Sequence, residues 1–142
     1  MTEPSTSVLY AREQDLSVDA FVQVLSETTL GPTRPLADRP RMQQMLAGAN
    51  LILTARLDRP DRRLVGLARC VTDFAWICYV SELAVSESAQ GLGIGRGLLD
   101  EARRLCGPEV TVTLVSVPEA VGFYERVGMA PAPNTFKYPR ER

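Results

Sequence analysis

The chain of 142 residues contains no histidine. That absence removes Ser-His-Asp and Cys-His nucleophilic catalysis, and histidine-based metal sites with them. Acid–base chemistry must then come from Asp, Glu, Tyr, Lys, Cys or bound water. Cysteine is scarce too. Cys70, Cys78 and Cys106 are an odd number at wide spacings, with no zinc-knuckle or redox-pair pattern, and read as small buried apolar residues of a reducing compartment. No metal is expected. Aromatic residues make up 6% and are scattered, too thin for a base-stacking platform. Sixteen basic against 17 acidic residues leave a formal charge of -1, so no basic balance points to nucleic acid. No apolar run nears the length of a membrane span, and the opening MTEPSTSV lacks the basic and apolar regions of a signal peptide. Together these absences predict a cytoplasmic protein with no nucleic-acid partner and no membrane partner.

What is present suits one domain: 45% of the residues are hydrophobic, enough for a proper core. Residues 1–7 read as a flexible tail and 8–142 as the domain. A short strand spans residues 8–12. Ser17 caps a helix with Val18, Phe21, Val22 and Leu25 on one face, fading near residues 28–29. Residues 30–40 hold three prolines and two arginines, and read as a loop. Asp38 caps a second helix through Met42, Met45 and Leu46, which Gly48 ends. Strands at 51–57 and 64–71 form a hairpin around Asp58-Arg59-Pro60-Asp61, and a long strand follows at 76–85. Ile94, Leu98, Ala102 and Leu105 then stripe a helix that Gly107-Pro108 ends. A buried strand covers 110–115. Ser116-Val117-Pro118-Glu119 has the form of a capping box, opening a helix with Phe123, Tyr124 and Val127 that Gly128 terminates. A last strand falls around 135–138. The order is strand, two helices, three strands, helix, strand, helix, strand. It specifies an α/β (α+β) fold with a mixed central sheet, its strand–helix–strand crossover right-handed and parallel.

The stretch Gln90-Gly91-Leu92-Gly93-Ile94-Gly95-Arg96-Gly97 stands between the long strand and a helix. Glycines allow positive φ and close approach of the backbone to a ligand. The helix start turns unpaired N–H groups and a positive dipole end toward that place, which suits a phosphate. Arg96 offers a cationic contact. The same glycines also fit a tight turn whose purpose is close packing. As a phosphate motif the stretch fails G-x-G-x-x-G and the P-loop pattern, and fits Q-x-x-G-x-G as Gln90, Gly93 and Gly95.

With that pattern, the strand Tyr79-Val80-Ser81-Glu82-Leu83-Ala84-Val85 before it and Glu119-Ala120-Val121-Gly122-Phe123-Tyr124-Glu125-Arg126-Val127-Gly128-Met129 after it, the chain resembles the GCN5-related N-acetyltransferases (GNAT). The element order agrees with that family's fold over about residues 8–138. The resemblance implies an acetyl-CoA cosubstrate and an amine acceptor, a small molecule or a peptide. It implies that the CoA pyrophosphate rests on the amides of Gln90, Gly91, Leu92, Gly93, Ile94, Gly95 and Arg96. It implies that the pantetheine arm pairs with Leu83, Ala84 and Val85, in a slot where the strand ending at Val85 splays from the next. A bulge near residues 81–83 would free an amide to polarise the thioester carbonyl. Tyr124 takes the position of the acid that protonates the sulfur, or is an amphipathic core tyrosine. Glu82 is the candidate base through water, and either faces the cleft or sits at an ordinary surface. Arg34 and Arg39 border the acceptor side in similar proteins, where they would select an anionic group, or else belong to a solvated loop. Phe74, Trp76 and Tyr79 line the acceptor cleft or pack across strands. A homodimer is also within the family's habit. The competing reading is a catalytically silent acyl-CoA-binding module on the same fold.

Overall fold

Five strands join edge to edge in the order in which the chain makes them. The computed structural model describes residues 7–142. Strands β1 (Val8–Arg12), β2 (Leu51–Leu57), β3 (Leu64–Thr72), β4 (Ile77–Val85) and β5 (Thr111–Thr113) form one sheet, β1-β2-β3-β4-β5. The first three pairings are antiparallel. The last, β4 with β5, is parallel and is bridged by helix α3 (Ile94–Cys106), the crossover that a parallel pair requires. Helices α1 (Val18–Ser26) and α2 (Arg39–Gly48) come between β1 and β2, and α4 (Val121–Arg126) follows β5.

Alternation along the strands sends side chains to two cores. Leu51, Leu53, Ala55 and Leu57 of β2 face α3, whose Ile94, Leu98, Leu99 and Ala102 are buried against them. Ile52, Leu67 and Ala84 face the opposite way, onto Phe21, Val24 and Leu25 of α1 and Met42 and Leu46 of α2. The helix starts follow from their caps. Ser17 Oγ accepts from the Ala20 amide at 3.1 Å, and the Asp38 carboxylate from the Arg41 amide at 3.2 Å. The cysteines are all free and buried in the α3-side core.

Three expectations fail at the C-terminal end. Residues 135–138 are no strand: Phe136 and Tyr138 are 92% and 102% exposed, so nothing rewards pairing them. Pro131, Pro133 and Pro139 lack the N–H groups that a ladder needs. The strand at 110–115 pairs only as Thr111–Thr113. The capping box does not form. Ser116 Oγ donates to the Val117 carbonyl at 2.6 Å, and a 3-10 turn at Pro118–Ala120 precedes a six-residue α4. The tail at 1–7 lies outside the described residues except for Ser7, whose carbonyl accepts from the Asp58 amide at 2.9 Å.

Tyr10 of β1 crosses α3 at Gly97, where an added Cβ would stand 2.1 Å from the tyrosine oxygen. Gly97→Ala is therefore expected to push the ring off the helix and cost about 1–3 kcal/mol, the usual range for overpacking. Denaturant unfolding checks this, and the loss should shrink in a Tyr10→Ala background.

Candidate active site

The cleft begins with one extra residue in β4. Arg69 faces Glu82 and Cys70 faces Val80, so Ser81 has no partner on β3. A bulge of this kind bends its strand and moves the following side chains to the other face. Cys78 and Val80, before it, join the α3-side core. After it, Leu83 and Val85 pack on that side, while Ala84 joins the α1/α2 core. On its other edge β4 pairs with β5 only from Ile77 to Tyr79. From Val80 onward that edge has no strand beside it, and a slot opens between β4 and the chain that follows β5.

A cavity of about 660 Å³ fills the slot. Leu83, Ala84 and Val85 line it from β4. Gln90, Gly91, Gly93, Ile94 and Gly95 line it from the loop and helix start, and Phe123 and Tyr124 from α4. Gln90 Nε2 donates to the Val85 carbonyl at 3.1 Å and ties loop to strand. Gly91 and Gly93 have φ of +87° and +73°, the left-handed region where a side chain is disfavoured. Helix α3 has no side-chain cap, and its first bond runs from the Gly97 amide to the Gly93 carbonyl at 3.0 Å. The amides of Ile94, Gly95 and Arg96 therefore carry no helical bond and leave a positive dipole end at the cavity. Gly95 and Gly97 do something else. A Cβ on Gly95 would meet the Phe123 ring at 2.8 Å, so this glycine lets α4 close on α3. The glycines thus divide: Gly91 and Gly93 turn the backbone beside the cavity, and Gly95 and Gly97 admit close packing.

Two residues of the expected cofactor set lie elsewhere. Leu92 is 41% exposed and outside the cavity. The Arg96 side chain reaches the Arg126 carbonyl at 3.4 Å and lines a separate cavity of about 230 Å³. The guanidinium in the main cavity is that of Arg126. Sequence reasoning also missed Thr28, Thr29 and Leu30, the wall after α1. No local signal marks them, because they reach the cleft only through the packing of α1 on the sheet.

Tyr124 lines both this cavity and a neighbouring one of about 290 Å³, which also takes in Tyr79, Ser81, Leu83 and Val115. Its ring meets Phe123 edge to face, centroids 5.1 Å apart. Burial raises its hydroxyl pKa above the ordinary tyrosine value, so the group stays protonated through the neutral range.

Glu82 neither faces the cleft nor lies at the surface. It is 1% exposed and lines neither cavity. Arg69 grips it with two bonds, Nε to Oε1 and Nη2 to Oε2, each 2.9 Å. Arg34 Nε stands 3.8 Å from Oε1. The carboxylate is committed to these cations, which corrects its expected role as base. Arg34 does line the smaller cavity, and its Nη2 donates to the Ser81 carbonyl at 2.8 Å. Arg39 is turned away, paired with Asp19. Of the three aromatics only Tyr79 reaches the cavity. Trp76 is 76% exposed, and Phe74 lies under the Arg12 guanidinium at 5.5 Å.

The comparisons with known proteins bear on the family and the fold. Residues 32–137 match the model of the acetyltransferase (GNAT) domain, and the chain belongs to that family. An uncharacterized N-acetyltransferase of Porphyra purpurea is 31% identical over 84 residues, covering 55% of this chain and 48% of that protein. A chloroplastic serotonin N-acetyltransferase of Oryza sativa is 34% identical over 77 residues, covering 53% of this chain and 38% of that protein. The chain thus spans about half the length, or less, of these curated relatives. Among solved structures, a GNAT family acetyltransferase of Streptococcus pneumoniae superposes with a TM-score of 0.73 at 23% identity, covering 95% of this chain and 100% of that one. An aminoglycoside N-acetyltransferase in complex with CoA gives 0.70 at 12%, covering 96% of each. At these identities the structures establish the shared fold. No helix among the described residues is long and apolar enough to cross a membrane, and no described cluster of ligating side chains would hold a metal.

Removing one partner of a buried ion pair leaves the other charge uncompensated. Glu82→Gln is expected to destabilise the fold by about 3–5 kcal/mol. Urea unfolding measures it; a variant of unchanged stability that had lost only turnover would return Glu82 to the role of base.

Proposed function

We propose that this chain transfers an acetyl group from acetyl-CoA to a primary amine, with both substrates bound together. The observation that carries the proposal is the meeting, in one cleft, of an unpartnered strand edge, an uncapped helix N-terminus and a protonated tyrosine. The similarity to a serotonin N-acetyltransferase supports an amine as acceptor.

Each part of the cosubstrate has a counterpart. The CoA pyrophosphate would accept from the free amides at the start of α3, with Gly91 and Gly93 keeping side chains out of its way. Arg126 adds counter-charge. The pantetheine arm would run as a further strand along Leu83, Ala84 and Val85, using main-chain groups that no strand of the protein occupies. CoA supplies an activated thioester. The amide freed at the Ser81 bulge would polarise its carbonyl and stabilise the oxyanion as the amine nitrogen forms a bond to the carbonyl carbon. As the carbon–sulfur bond breaks, the electron pair goes to sulfur and the Tyr124 hydroxyl delivers a proton there. The proton lost by the amine passes to water, since Glu82 is held by Arg69 and Arg34.

Thiol release from acetyl-CoA against a panel of amines tests the reading. CoA binding without turnover on any amine would favour the silent module. Tyr124→Phe is expected to lower kcat by about 10²–10⁴-fold, the scale of acid–base catalysis, with CoA affinity little changed. Turnover equal to that of the parent protein would take the acid role from Tyr124.

A further inference from the structure

The smaller cavity carries a charge pattern that bears on the acceptor. Three of its lining residues are charged, Arg34, Lys137 and Arg140, and all are cationic. No carboxylate lines it. Glu87 and Glu119 belong to the cofactor side of the cleft. Arg34 is not neutralised by its neighbour, because Glu82 is shared between Arg34 and Arg69, two guanidiniums on one carboxylate. Lys137 and Arg140 have no ion-pair partner among the described residues. The concentration is uneven for a chain whose formal charge is only -1. The rest of the lining mixes apolar Leu83, Leu114 and Val115 with hydroxyl-bearing Tyr79, Ser81 and Ser116.

The geometry points to an acceptor that is a small amine bearing an anionic group, carboxylate or phosphate. The inference rests on the acetyltransferase reading above and names its substrate class. Arginine recognises both anions through paired donors, and a lysine adds a point charge. The same field disfavours polyamines and aminoglycosides, whose cations would meet cations with no carboxylate to receive them. A cavity of about 290 Å³ fits an acceptor of amino-acid size. Lys137 and Arg140 come from the C-terminal segment, which has no regular structure and is held near α2 where the Arg142 carbonyl accepts from Arg41 at 3.1 Å. That segment would then set specificity.

Equilibrium binding of acetylated, product-like probes to the whole chain tests this, with and without CoA. N-acetylglutamate and N-acetyl-phosphoserine distinguish carboxylate from phosphate, and N-acetylspermidine is the cationic control. The anionic probes should bind, the spermidine derivative should not, and added salt should weaken the anions. In the doubly reversed Lys137→Glu, Arg140→Glu variant, anion affinity should fall about tenfold or more at unchanged Tm, since both residues are exposed. Failure of both anions to bind, binding of N-acetylspermidine as tightly as either, or an unchanged affinity in the variant would overturn the inference. A titration with CoA alone decides the acetyltransferase reading separately. CoA bound together with a preference for the cation would sink the acceptor class and leave the reaction standing.

Discussion

Arg69 and Glu82 meet across β3 and β4 where almost no water reaches either of them. Two charges withdrawn from solvent stabilise a fold only when geometry and further hydrogen bonds offset their desolvation. Here the pairing is bidentate, and two further donors of Arg69 go to the Met45 carbonyl and Ser81 Oγ at 3.1 and 2.8 Å. The guanidinium also lies over the Phe21 ring, 5.9 Å from its centroid. One side chain thus joins α1, α2, β3 and β4 at the place where β4 carries its extra residue. The bulge cannot migrate along the strand without separating the pair. Next to the bulge, β4 has no pairing with β5 beyond Tyr79, and the cleft opens there.

The same pair positions the wall of the neighbouring cavity. Arg34 comes from the loop after α1, and its reach to Glu82 and to the Ser81 carbonyl brings that loop against the slot. Strand register, loop placement and the charge at the smaller cavity are therefore one arrangement. A carboxylate that reads as a base in sequence serves as the counter-ion of two arginines, Arg69 and Arg34.

At the glycine loop the constraint is steric. Gly91 and Gly93 turn the chain through left-handed conformations, so that α3 begins with bare amides facing the cavity. Gly95 and Gly97 admit Phe123 and Tyr10 against the helix. A run of four glycines thus serves the loop and the packing around it, and Phe123, once seated, carries Tyr124 to the junction of the two cavities.

Local pattern sufficed wherever a feature depends on neighbours in the chain. The limits of β1 and β2, the caps at Ser17 and Asp38, the start of α3 and the glycine loop all follow from period, capping chemistry and turn residues. The bulged strand was legible through resemblance to a family, and so was Tyr124. Other features depend on partners far away in sequence. Whether Glu82 meets the cleft or an arginine turns on Arg69 and Arg34 folding onto it, 13 and 48 residues away. Whether Arg96 or Arg126 enters the cavity depends on the rotation of α3 against α4. The apolar and β-favouring residues at 135–138 resemble a strand, yet they join no sheet edge and stand exposed. The sequence by itself determined the family, the element order and the loop that faces the larger cavity, because each is written in short-range spacing. Only the tertiary structure decided which charges line the cleft and which are consumed in holding it open, because that depends on contacts between segments that nothing local brings together.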